Sequence, residues 1–267
     1  MGGIIIYSKI NNRELHYQKS GAGFPLVFLH GFSDDLSIWL PLINKFEKDY
    51  FTLALDLPGH GSSSEINNDF NLDSFNDTLI EFLKNQGIEK AHFIGFSWGS
   101  AILLKLACDA PHLIKSLTII SGFSQVDHNL KFQLNNFKEK LKENYEAFFD
   151  EAVQVVNTPE FLSENKIALE EFKVLKAKTA SINSLMSTID VILNFDISEE
   201  LFKIKCPVLI FSGSEDKLTS IELSKIMQES LADSRWIILR GEGHNLFVPS
   251  RITELEEYIQ EFLENQG

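Results

Sequence analysis

The stretch FIGFSWGSA, residues 93–101, sets Gly95, Ser97 and Gly99 around two bulky aromatic side chains. It closes the apolar run AHFIGF (91–96) and opens the helix-like segment AILLKLA (101–107). A sharp turn from strand to helix needs small neighbours, because side chains at Gly95 and Gly99 would meet backbone or the incoming helix. Such a turn lifts Ser97 clear of the sheet, with its hydroxyl exposed at a helix N-terminus. A bare G-x-S-x-G recurs by chance in many chains. Its position between a strand and a helix makes this one informative.

Outward from that turn, short apolar runs alternate with segments of helical period. The runs are PLVFLH (25–30), FTLALD (51–56), AHFIGF, LIKSLTIIS (113–121), PVLIFSG (207–213) and RWIILR (235–240). They are continuously apolar rather than alternating, the pattern of parallel strands covered on both faces. IIIYSKI and RELHYQK, split by Asn11 and Asn12, read as an edge hairpin. Leu72, Phe75, Leu79 and Phe82 repeat at three and four and stop at Gly87, an amphipathic helix. TSIE (219–222) has the form of a capping box before another helix. The alternation predicts a mostly parallel, doubly wound α/β sheet of eight strands with helices on both faces. Ligands of such sheets bind beyond the C-terminal strand ends.

One region breaks the rhythm. From Phe123 to Ser212 there is no glycine, and the prolines are Pro159 and Pro207. Strong helix formers with apolar residues at helical spacing fill it. The expected organisation is an α/β core from 1–123 and 201–267, with 124–200 a helical cap inserted over the sheet.

At 267 residues with 44% hydrophobic content, the chain can bury a large core. Its net charge of -14 repels phosphate backbones, so no nucleic-acid partner is expected. No window approaches the length of a membrane span, and the N-terminal segment has no signal-peptide pattern. Cys108 and Cys206 stand apart and form neither a zinc spacing nor a disulfide framework, which suits core thiols in the cytoplasm. The histidines are too scattered for metal-ligand spacing. A homodimer is compatible with the composition.

A serine hydroxyl is a weak nucleophile until a base takes its proton, and that base needs a partner to fix its tautomer. PVLIFSGSED places Asp216 in the loop after a strand, and ILRGEGHNLF places His244 in a glycine-hinged loop after the last strand. The order Ser97, Asp216, His244 is the one expected when three strand-end loops meet at one site. The acyl oxyanion needs backbone donors. Trp98 offers one N–H at the helix start, and Phe32, beside Gly31, the other. His30 reads as structural within its loop.

Together HGF (30–32), DLPGHGSS (56–63), GFSWG (95–99), SGSED (212–216) and GEGHN (241–245) resemble the α/β-hydrolase fold superfamily along nearly the whole chain. The resemblance implies Ser97 as nucleophile, His244 as base, Asp216 as orienting acid, and Phe32 with Trp98 as oxyanion donors. The family's G-x-x-D spacing from Gly213 selects Asp216 over Glu215, and Asp56, Gly59 and Gly61 fall in a structural loop. Segment 124–200 resembles the family's helical lid.

Serine at position 97 sets the chain apart from members with a nucleophilic aspartate, the dehalogenases and epoxide hydrolases. Its arginines, Arg13, Arg235, Arg240 and Arg251, all lie outside the lid and the nucleophile, oxyanion and acid loops. Carboxylate-bearing substrates are ordinarily clamped bidentately by arginine. Phenylalanine is abundant, at 22 residues, with Phe132, Phe137, Phe148, Phe149, Phe161 and Phe172 in the insertion. Most of those six are expected to be helix core. Phe32, Trp98, Phe123, Leu218 and Leu246 are expected to line an apolar acyl pocket. The reading is a cofactor-free and metal-free serine esterase for small to medium apolar acyl esters. The rivals are a carbon–carbon or enol-lactone hydrolase with the same triad, and a weakly catalytic ligand sensor.

Overall fold

The apolar runs become eight strands: β1 (Ile4–Ile10), β2 (Arg13–Ser20), β3 (Phe24–Leu29), β4 (Tyr50–Leu55), β5 (Ala91–Phe96), β6 (Ile114–Ile120), β7 (Val208–Gly213) and β8 (Ser234–Leu239). In the computed structural model, which describes residues 4–266, they form one sheet in the order β1-β2-β4-β3-β5-β6-β7-β8. β2 pairs antiparallel with both β1 and β4, and every other pairing is parallel.

Full burial explains why the inner strands read as unbroken apolar runs. In β3, Leu26 and Phe28 join one hydrophobic cluster while Val27 and Leu29 join the other, on the opposite face. β7 divides likewise, with Leu209 and Phe211 against Val208 and Ile210. Helices α1 (Leu40–Phe46) and α10 (Ile252–Glu264) cover the first face. Helices α2 (Leu72–Asn85), α3 (Trp98–Asp109) and α9 (Ile221–Ser230) cover the second.

Between β6 and β7 the chain is helical: α4 (His128–Glu143), α5 (Tyr145–Val156), α6 (Pro159–Glu164), α7 (Lys166–Ala177) and α8 (Ile182–Leu193), followed by a 3-10 turn at Ser198–Lys203. Their buried residues, among them Leu134, Phe137, Phe148 and Ile189, belong to the same cluster as the second sheet face. The two ends of the insertion meet. Gln125 bridges to Asp196, and the Ile197 N–H donates to the Ser124 carbonyl at 2.9 Å. Among the described residues no helix is long and apolar enough to cross a membrane.

One local expectation fails. α9 begins at Ile221 with Ser220 as N-cap and no side-chain cap bond, so Thr219 does not cap it. The Thr219 hydroxyl is committed elsewhere.

Candidate active site

The turn at residue 97 has the geometry its glycines require. Ser97 sits at φ 49° and ψ -113°, a strained conformation for a residue with a side chain. The structure holds it there by packing on both sides. A Cβ on Gly99 would lie 2.5 Å from the His30 carbonyl oxygen and closer still to that of Leu29. One on Gly95 would lie 2.7 Å from the Ser100 nitrogen. The Ser97 N–H donates to the Ile120 carbonyl at 2.9 Å, which fixes the turn to β6. Among the described residues the Ser97 hydroxyl has no hydrogen-bond partner, and it lines a cavity.

His244 lines the same cavity, its ring against that of Phe96 at 5.2 Å between centroids. The imidazole and the Asp216 carboxylate are both almost fully buried, with Nδ1 2.8 Å from Asp216 Oδ2. A carboxylate can only accept, so Nδ1 carries the proton and Nε2 keeps its lone pair. The other carboxylate oxygen, Oδ1, accepts from the Leu218 and Thr219 N–H groups at 2.8 and 2.9 Å. Glu215 next door is exposed.

Thr219 and Ser121 lock this arrangement. The Thr219 hydroxyl lies 2.9 Å from Asp216 Oδ2, 3.0 Å from His244 Nδ1 and 3.0 Å from the Ser121 carbonyl. Ser121, at φ 47°, donates its own hydroxyl to the His244 carbonyl at 2.8 Å. The ends of β6, β7 and β8 are thereby laced together by two hydroxyl groups. Asn245 extends the lacing to the insertion, its N–H donating to the Val156 carbonyl at 2.9 Å. None of these three residues stood out in the sequence as part of the site, and Thr219 read there as a helix cap.

Beyond β3, Phe32 and Asp34 line the cavity, and the Phe32 N–H, like that of Trp98, has no acceptor among the described residues. His30 is structural: its Nδ1 lies 2.7 Å from the Gly31 carbonyl and its Nε2 accepts from the Leu57 N–H at 2.9 Å. Burial first, then the neighbouring His60, lowers its pKa to about 3. Asp56 is structural as well, accepting from the Leu36 and Ser62 N–H groups and from His16, each at 2.7 Å.

The alpha/beta hydrolase fold family profile matches residues 25–250. The chain is an α/β hydrolase. It is 27% identical over 248 residues to (E)-2-((N-methylformamido)methylene)succinate hydrolase of Acinetobacter baylyi, covering 91% of this chain and 93% of that one. Against pimeloyl-[acyl-carrier protein] methyl ester esterase of Aliivibrio salmonicida it is 25% identical over 258 residues, covering 92% and 96%. Among solved structures, the enol-lactonase from Burkholderia xenovorans LB400 superposes with a TM-score of 0.89 at 20% identity, over 97% of this chain and 100% of that one.

The hydrolase's cavity, about 430 Å³, corrects the expected pocket. Phe32 and Leu218 line it; Trp98, Phe123 and Leu246 do not. Trp98 opens α3 and points into the crevice behind it, at 0% exposure against Phe75, Phe123 and Phe195. Phe123 belongs to the same aromatic knot. Leu246 turns into the core of the opposite sheet face, while Asn245 and Phe247 beside it face the cavity. The insertion supplies more of the lining than expected. Phe137, Phe148, Phe149, Phe161 and Phe172 all reach the cavity, and Phe132 is 62% exposed. Among the described residues no arginine or lysine lines it.

Proposed function

We propose that this hydrolase cleaves carboxylic esters of small to medium apolar acyl groups through an acyl-enzyme on Ser97. The observation that carries the reading is that His244, paired with the buried Asp216, lines the same aromatic cavity as Ser97, whose hydroxyl is unbonded. Ser97 Oγ attacks the ester carbonyl while His244 Nε2 takes its proton. The Phe32 and Trp98 N–H groups receive the oxyanion, each worth about 3–4 kcal/mol of barrier. Collapse expels the alcohol, which takes the proton from His244. Water, deprotonated by the same nitrogen, then attacks the acyl-enzyme, and the acid leaves. Residues 124–200 act as the lid, and their phenylalanines shape the acyl site. The cavity's lack of arginine and lysine weighs against substrates that need a carboxylate clamp.

The test is a series of p-nitrophenyl esters from acetate to octanoate beside a ring-fission dienoate, with labelling by a fluorophosphonate probe. Turnover of the esters and labelling that vanishes in Ser97→Ala are expected. Turnover of the dienoate without the esters would move the assignment to carbon–carbon hydrolysis. Folded protein with neither labelling nor turnover would make it a binding protein.

A further inference from the structure

Three carboxylates follow or face the loop after β3, and two of them are fully provided for. Asp56 accepts three hydrogen bonds. Asp35 accepts from the Ser37 N–H at 2.8 Å and is ion-paired with Lys176. Asp34 has neither a hydrogen-bond donor nor an ion-pair partner among the described residues. Its Oδ2 lies over Gly31, 2.9 Å from where a Cβ there would stand, and its side chain lines the cavity that holds Ser97 and His244. Among the described residues it is the one carboxylate in that lining, which contains no lysine or arginine, although Asp34 also borders a neighbouring pocket lined in part by Lys176.

Among the described residues no cation is ion-paired with it. Lys176 is ion-paired with Asp35, and its ammonium lies 5.4 Å from the centroid of the Phe172 ring. His244 is turned to Asp216. Burial pushes the Asp34 carboxyl up to about 6, with Lys176 and His244 pulling it down and Asp35 pushing it further up. A carboxylate left without donors inside an aromatic chamber is costly to the free protein, and a ligand cation would relieve that cost. The cavity that Asp34 lines also holds aromatic rings, among them Phe32 and Tyr145, which offer π faces of the kind that hold ammonium groups, while Phe172 already carries Lys176.

We propose that the cavity binds esters carrying a protonated amine or quaternary ammonium group, seated between the Asp34 carboxylate and the aromatic rings. The reacting bond rests on the ester-hydrolase reading; the cation site does not. It also accounts for the absent arginine clamp, since an anionic substrate would be repelled here.

The test compares butyrylcholine with its uncharged carbon isostere, 3,3-dimethylbutyl butyrate. Binding is measured by calorimetry on Ser97→Ala protein, and kcat/KM on the wild type, at pH 8. The choline ester is expected to be favoured at least tenfold by both measures, and the cation-to-neutral ratio to fall to within about threefold of unity in Asp34→Asn. A wild-type ratio at or below unity overturns the proposal, as does a preference that survives Asp34→Asn. Because the wild-type ratio decides by itself, the outcome does not depend on the variant folding. Selective binding of butyrylcholine without hydrolysis of either ester would uphold the cation site and sink the esterase reading. Equal hydrolysis of both would do the reverse.

Discussion

In Asp216→Asn the new amide can point only one way. Its oxygen must replace Oδ1, where the Leu218 and Thr219 N–H groups donate at 2.8 and 2.9 Å, because an NH2 there would face two donors. The NH2 is thereby turned on His244 Nδ1, the atom that sits 2.8 Å from Oδ2 in the wild type. To accept from it, the imidazole must shed the Nδ1 proton and carry one on Nε2, the nitrogen that has to receive the proton of Ser97. The wrong tautomer is expected to lower kcat by about 10⁴, or about 5.4 kcal/mol of barrier. Asp216→Ala is expected to be the milder change by about tenfold, although it removes more atoms. There the Thr219 hydroxyl, 3.0 Å from Nδ1, remains to accept the Nδ1 proton and keep the working tautomer. The assay is steady-state hydrolysis of p-nitrophenyl butyrate, with thermal unfolding recorded on the same samples. A folded Asp216→Asn that loses less than about 100-fold, or an alanine variant worse than the asparagine one, refutes the tautomer reasoning.

Thr219→Val keeps the shape and deletes the hydroxyl shared by Asp216, His244 and Ser121. About a tenfold fall in kcat/KM is expected, with Thr219→Ser recovering most of it; equal losses in both would assign the effect to packing. Gly99→Ala forces a methyl group against two carbonyl oxygens of the β3 loop. It is expected to cost about 3 kcal/mol or more and to lower Tm by about 6 °C or more in calorimetry. On acidification, His30, His60 and His92 are held neutral mainly by burial, down to about 3, 4 and 4. The unfolded chain takes up those protons from about 6.5 downward, so their contribution is whole above that pH and is lost as the pH falls toward 4. Asp34, pushed up to about 6, holds its proton longer when folded and offsets one of the three. Urea titrations should therefore show stability dropping below pH 6.5, at up to about 2.7 kcal/mol per pH unit. A midpoint constant from pH 7 to 4.5 would contradict this.

The sheet could be read from the chain because burial on both faces writes a continuous apolar signature, as in AHFIGF and PVLIFSG. Ser97, Asp216 and His244 were legible for a related reason: each follows such a run, with Gly95, Gly213 or Gly243 marking the turn. What stayed hidden depended on distant partners. TSIE satisfies a local capping pattern, yet Thr219 is claimed by His244, 25 positions away. The pair at Asp34 and Asp35 looks like a polar turn. Lys176, 141 positions from Asp35, is the distant partner that compensates one acid and not the other. The insertion's phenylalanines were ambiguous because its helices have apolar residues both toward the core and toward the cavity. Trp98 and Leu246 were misplaced because sequence proximity to Ser97 or His244 says nothing of which way a side chain turns.

The pinched neck at Gln125, Asp196 and Ile197 has a consequence for how such chains diversify. The insertion leaves and rejoins the sheet through one small gate, beside the knot of Trp98, Phe123 and Phe195. Changes in the middle of the insertion can leave the two ends meeting at that gate, but its buried residues share the sheet's hydrophobic cluster and Val156 accepts from the Asn245 N–H, so those contacts must be kept as well. Altered cavity linings drawn from the insertion are therefore compatible with an unchanged Asp216–His244 pair so long as those ties hold.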